Sequence, residues 1–145
     1  MSIISASTIL KAHSLKPRGV IQVGAHHGEE VDELLSDGFE RIHLIEANPE
    51  LMPRLTEHLS KHPNITLANI AISEEIGTAS LKLTSATMSS SLLDLALHAK
   101  LYPSIRPVSE LAGQTQTLDA HIEFQGLRAE DFTVLIIDVQ GAELK

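Results

Sequence analysis

Three short apolar runs, residues 19–23, 41–46 and 65–72, alternate with two stretches of helical spacing, and this alternation leaves few architectures open to the chain. After Gly28, the residues Val31, Leu34 and Leu35 recur at helical intervals among Glu29, Glu30, Asp32 and Glu33, and Gly38 supplies a stop. Asn48-Pro49 opens the second helical stretch as an N-cap followed by proline, and Leu51, Met52, Leu55 and Leu59 continue it on one face. Pro53 has no backbone donor, so the first regular turn is expected to begin there. Strands that alternate with helices through short connections pack as a parallel sheet with right-handed crossovers and helices against it. The expected fold class is therefore α/β.

The pattern changes from Gly77. Residues 79–84 alternate polar with apolar, as an exposed antiparallel strand does, and residues 114–117 are its expected partner in an inserted hairpin. Between them, residues 85–93 read as a polar loop entering a short helix. Leu118 to Phe124 is a short helix, and residues 132–139, the most hydrophobic run, are expected at the centre of the sheet. There is no internal repeat and no long linker, so residues 1–145 are read as one domain. A chain of this length buries roughly two-thirds of its unfolded surface, enough for a single core.

Charge and composition exclude several functions. Eleven basic against nineteen acidic residues give a net charge of -8, which repels nucleic acid and anionic membranes. No cysteine is present, so disulfides and thiolate metal sites are ruled out. The first residues lack a basic leader with an apolar core, and no window approaches the roughly 20 apolar residues of a membrane span. A soluble, cytoplasmic protein is expected. His58 and His62 lie four apart on the second helix, but no carboxylate pattern supports them, and no metal site is expected.

Chemistry concentrates where the strands end. Gly24-Ala25-His26-His27-Gly28 forms a turn from the first strand into a helix, where glycine lets backbone approach a ligand. Glu46 ends the next strand, 22 positions beyond Gly24, the spacing at which a carboxylate accepts hydrogen bonds from ribose hydroxyls. Asp138 ends the last apolar run, on the side of an open parallel sheet that faces the ligand crevice. His26 stands where a dinucleotide fingerprint needs its second glycine, and Glu29 and Glu30 would repel phosphate, so a pyrophosphate is disfavoured. A nucleoside ligand without phosphate, such as S-adenosylmethionine, tolerates both features.

Together with Ile45-Glu46-Ala47-Asn48-Pro49, Ala71-Ile72-Ser73, Ser89-Ser90-Ser91-Leu92, Thr117-Leu118-Asp119 and residues 137–143, the glycine turn resembles the FkbM-type methyltransferases, over about residues 19–145. The resemblance implies a Rossmann-like class I methyltransferase fold that binds S-adenosylmethionine and methylates a hydroxyl of a small-molecule or carbohydrate acceptor. It implies that Gln22, Gly24, Ala25, His26, Gly28 and Ala47 belong to the cofactor site, that Glu46 holds the ribose, and that Asn69 to Ala71 lie near the adenine. Asp138 would face the transferable methyl and serve as catalytic base. Two residues depart from the family: Gln22 replaces a commoner aspartate and His26 a commoner asparagine, and both keep the capacity to hydrogen-bond. Related enzymes continue through further strands, whereas this chain stops at Lys145. The resemblance thus implies a fold cut short, as a partial sequence or one completed by a homo-oligomer partner. The rival readings are a non-catalytic S-adenosylmethionine-binding module and an NAD-type oxidoreductase fragment.

Overall fold

The computed structural model describes residues 5–84 and 107–139. Helix α1 (Ala6–Ala12) leads into strand β1 (Gly19–Val23), and α2 (Val31–Ser36) into β2 (Arg41–Ile45). A 3-10 turn at Pro49–Leu51 precedes α3 (Met52–Leu59), followed by β3 (Ile65–Ala68) and β4 (Ala71–Ile72). Strands β5 (Gly77–Thr84) and β6 (Pro107–Gln116), helix α4 (Leu118–Phe124) and β7 (Val134–Ile137) complete the order. The main sheet runs β3-β2-β1-β7, all parallel, and a second sheet runs β4-β6-β5.

Alternation along the strands divides the core into two layers. Val20, Ile42 and Leu44 point to one face, where they pack with Leu10 of α1, Val31 and Leu34 of α2 and Leu59 of α3. Ile21, Val23 and Ile45 point to the other, against Leu118 and Ile122 of α4 and Phe132. This is the α/β parallel sheet with flanking helices that the sequence pattern predicts. Among the described residues, no helix is long and apolar enough to cross a membrane.

The helix assignments hold, and a hairpin forms, but its register differs from the expected one: residues 79–84 lie opposite 107–113 rather than 114–117. Asn48 accepts from the Glu50 N–H as an N-cap, and Pro53 falls in the first turn of α3. Helix α4 has the predicted bounds, capped by the Thr117 hydroxyl. The hairpin forms with Thr78 opposite Gln114 and Gly77 opposite Thr115, but β6 starts at Pro107 and ends at Gln116. The loop expected at residues 85–93 lies outside the described residues.

Two further expectations are corrected, and two elements were missed, helix α1 and a 3-10 turn at Ala129–Asp131. The third strand does not run unbroken over residues 65–72. It splits, because the Asn69 side chain donates to the backbone carbonyls of Glu46 and Ala47, which draws the chain toward the end of β2 and sends Ala71 to a different partner, Thr115. The last strand is not central: among the described residues β7 pairs only with β1, and Leu135 and Ile137 are 47% and 38% exposed. Hydrophobicity reports burial on the faces of a strand but not its lateral order, which the crossovers set. Helix α1, capped by the Ser5 hydroxyl, escapes a pattern search because only Leu10 of its residues is buried.

One polar cluster is sealed between the main sheet and α4. His43 of β2 and His121 of α4 are each 1% exposed, with their Nε2 atoms 2.8 Å apart. Gln116 Oε1 only accepts, so His121 Nδ1 carries a hydrogen toward it over 2.9 Å, and His121 Nε2 is an acceptor. His43 Nε2 is then the donor, and its Nδ1 accepts from the Thr66 hydroxyl at 2.6 Å. The chain is satisfied in one direction with both rings neutral, and a further proton at His121 Nε2 would set two donors against each other. Burial, with His121 adding to it, pushes His43 from 6.5 down to about 4, and burial lowers His121 as well. Both rings bind a proton less readily in the folded protein than in the unfolded chain. Their contribution to stability is therefore complete above pH 6.5 and lost as the pH falls from there toward 4. Melting temperatures followed by circular dichroism should drop across the upper part of this window, before most carboxylates titrate. The slope should flatten in the double variant His43→Leu/His121→Leu; an unchanged slope in that variant would contradict the assignment.

Candidate functional site

The parallel strands β1, β2 and β7 all end on one side, and the turns leaving them meet there. Gly24 and Ala25 both donate to the Ile45 carbonyl, at 2.9 and 3.1 Å, so the first turn is tied to the end of β2. Asp138 N–H donates to the Val23 carbonyl at 2.9 Å and ties the end of β7 to β1. Gly24 has a φ of +89°, and a Cβ there would overlap the Asp138 carbonyl oxygen. Its place in the turn thus has two separate causes, a left-handed backbone and a close approach.

Glu46 is the hub of this end of the sheet. It is 5% exposed, and its two carboxylate oxygens are divided: Oε2 accepts the His26 N–H at 2.8 Å and Oε1 the Asn48 N–H at 2.8 Å. One carboxylate therefore fixes both the glycine turn and the loop into α3. Each oxygen retains a second lone-pair direction for another donor.

His26 is the unusual residue. Its φ is +50°, in the left-handed region that few side chains adopt. Its imidazole is buried between two carboxylates, with Nδ1 4.0 Å from Glu46 Oε2 and Nε2 3.6 Å from Asp138 Oδ2. Among the described residues, Nε2 has no hydrogen-bond partner. Asp138 itself is half exposed at the mouth of the site.

The other residues singled out in the sequence take distinct positions. Gln22 lies beneath the turn, where its Nε2 donates to Glu30 Oε2 at 2.7 Å and its Oε1 is buried with no partner among the described residues. Gly28, with a φ of +76°, carries the turn into α2, and a Cβ there would crowd Leu55 of α3 at 3.2 Å. Ala47, Asn69 and Ala71 share a cavity of about 260 Å³ with the β5–β6 hairpin. Gly24, Ala25, His26, Glu46 and Asp138 are thus brought together at the strand ends, Ala47, Asn69 and Ala71 form an adjoining hollow, and Gln22 supports the turn from below. Sequence reasoning missed the second function of Asn48, whose backbone N–H binds Glu46 while its side chain caps the next turn. It also missed the hairpin's contribution to the hollow, because no local signal reveals a partner so far away in the chain.

The family model of the methyltransferase FkbM domain matches residues 22–145. The chain belongs to the FkbM methyltransferase family. No curated protein sequence matches it. Among solved structures, it is similar to PH1948 of Pyrococcus horikoshii, a candidate RNA methyltransferase, at 18% identity and a TM-score of 0.36, over 44% of this chain and 35% of that one. It is similar to the 23S rRNA methyltransferase ErmE at 31% identity and a TM-score of 0.34, over 43% of this chain and 26% of that one. An S-adenosylmethionine-dependent methyltransferase from Mesorhizobium loti matches at 8% identity and a TM-score of 0.34, over 82% of this chain and 78% of that one. The matches to the first two span about a third or less of those proteins. Family membership rests on the domain match.

Removing the hub should loosen the whole strand end. Glu46→Ala deletes two hydrogen bonds to a charged acceptor and leaves two amides in need of partners, at a cost of about 3 kcal/mol. Urea denaturation monitored by circular dichroism should show that loss as a lower midpoint. A midpoint equal to that of the unsubstituted protein would show that Glu46 does not hold the turn.

Proposed function

We propose that this chain binds S-adenosylmethionine at the ends of β1, β2 and β7 and takes part in methyl transfer to a hydroxyl of a small-molecule or carbohydrate acceptor. The observation that supports this most directly is the buried Nε2 of His26 between Glu46 and Asp138, which has no hydrogen-bond partner among the described residues. A polar atom sealed from water without a partner is costly, and a ligand group entering this crevice would relieve it. In this reading, Gly24, Ala25, His26 and Gly28 line the cofactor, and Glu46 receives the ribose hydroxyls on the lone pairs its backbone partners leave over. Ala47, Asn69 and Ala71 border the adenine. The donor set suits a nucleoside without phosphate: two carboxylates, Glu46 and Asp138, face the crevice, and a pyrophosphate would meet them as like charges.

S-adenosylmethionine, when bound, supplies a methyl group activated by the adjacent sulfonium. The remaining work belongs to the chain. The tied strand ends hold their groups in place before any ligand arrives, and such positioning is worth up to about 7–11 kcal/mol in a two-reactant displacement. Asp138, half exposed where the strands end, is placed to accept the acceptor's hydroxyl proton, a contribution of roughly 10²–10⁴-fold. The acidic surface, with a net charge of -8, disfavours a nucleic-acid acceptor.

Calorimetric titration of the folded protein with S-adenosylmethionine, S-adenosylhomocysteine and NAD tests the proposal. The two adenosyl ligands should bind and NAD should not. Absence of heat with both adenosyl ligands would end this reading, and preference for NAD would replace it with a dinucleotide site.

A further inference from the structure

The glycine turn presents its two histidines to two different spaces. The His26 ring lies between Glu46 and Asp138. His27 is exposed and lines a cavity of about 550 Å³ on the helix side of the turn, together with Arg54, Glu57 and His58 of α3. That volume falls within the roughly 300–1,000 Å³ of complete small-molecule sites.

Its two walls stand at a fixed spacing. Leu55 and Leu59 bury one face of α3, which leaves Arg54, Glu57 and His58 exposed on the outward face, three and four positions apart. The turn rests on the same helix, since a Cβ at Gly28 would lie 3.2 Å from Leu55 and 3.8 Å from His58. From the other side, Glu46 holds the turn through the His26 N–H. The cavity is therefore bounded by parts already fixed by the core and by Glu46, and a ligand that enters it meets walls in place, which lowers the ordering cost of binding.

The charged groups in this cavity are not used up by one another. Arg54 and Glu57, three apart on one helix, are placed to pair, yet among the described residues neither side chain makes an ion pair or hydrogen bond, and the same holds for His58. Among the described residues no three metal-ligating side chains converge on one point, so the imidazoles are left for hydrogen bonding. A guanidinium offers a fork of donors that matches the oxygens of a phosphate or carboxylate. Glu57 only accepts, so it repels a bare anion and suits a ligand that carries hydroxyls beside its anionic group. Imidazoles donate or accept and can serve either part. The set thus favours a hydroxylated oxyanion over a bare ion or a neutral sugar. The rest of the chain opposes unspecific anion binding, because its net charge is -8.

We propose that the cavity between the glycine turn and α3 is a second ligand site, which takes a small hydroxylated oxyanion of the sugar-phosphate kind. Arg54 holds the phosphate, Glu57 accepts from the hydroxyls, and His27 and His58 complete the hydrogen bonds. The site needs no adenosyl ligand, so its failure and that of the methyl-transfer reading are separable. Calorimetric titration of the folded protein with inorganic phosphate, glucose-6-phosphate and glucose tests it. Glucose-6-phosphate should bind about tenfold or more tightly than phosphate, and glucose should give no heat. Arg54→Ala and Glu57→Ala place a good helix former at exposed positions, so both variants should melt with the parent. Arg54→Ala should bind glucose-6-phosphate about tenfold or more weakly, and Glu57→Ala should bring glucose-6-phosphate and phosphate to about equal affinity. No heat with glucose-6-phosphate in the unsubstituted protein, or an Arg54→Ala variant that binds it as the parent does, overturns the site. Phosphate bound as tightly as glucose-6-phosphate by the unsubstituted protein overturns the proposed ligand class.

Discussion

The arrangement of this strand end depends on one buried carboxylate. Glu46 accepts one backbone amide from the turn after β1 and another from the loop after β2. Hydrogen bonds to a charged acceptor are stronger than neutral ones, and in a site only 5% exposed little water competes for them. The turn between Gly24 and Gly28 therefore does not depend on its own short-range bonds. It is held across the sheet, and the position of His26, and through it the relation to Asp138, follows from where Glu46 sits.

This explains how a non-glycine residue persists at a φ of +50°. Left-handed backbone at such a residue costs on the order of 1–3 kcal/mol and survives only where neighbouring contacts fix it. Here those contacts are identifiable: the His26 N–H is bound by Glu46, and Gly24 and Ala25 before it are bound to Ile45. Asparagine, the residue the family more often carries, adopts this conformation with less strain. The histidine adds a ring that fills the space between two carboxylates and, among the described residues, leaves one nitrogen without a hydrogen-bond partner. The left-handed backbone and this buried nitrogen fall on the same residue, at the point where three strands end.

Much of this was legible in the sequence, for physical reasons that differ from element to element. The glycine turn and the acid at the end of β2 could be read because strand-to-helix turns and strand ends impose local demands on residue type. Helix α4 was legible in its bounds, while its Thr117 cap emerged only in the structure. The dual use of Asn48 was half legible: its side chain caps a local turn, while its backbone bond to Glu46 arises only when the loop folds back. His43 gave no signal at all. It occupies a buried strand position that pattern alone assigns to an apolar residue, and it is tolerated because His121, 78 positions away in sequence, completes its hydrogen bonds. The lateral place of β7 was likewise invisible: Val134 and Ile136 pack on the core while Leu135 and Ile137 are exposed, and an unbroken apolar run does not distinguish the two faces.

The two sheets meet at Asn69, and their junction joins these observations. By binding the carbonyls of Glu46 and Ala47, its side chain completes the loop that Glu46 begins. The same bonds turn the chain out of the main sheet, so that Ala71 pairs with β6 rather than extending β3. A continuous third strand would have left no room between the main sheet and the hairpin. The break that local hydrophobicity conceals is therefore what creates the hollow next to the hub. Glu46 needs Asn69 to hold its loop, and that hold opens the space beside it.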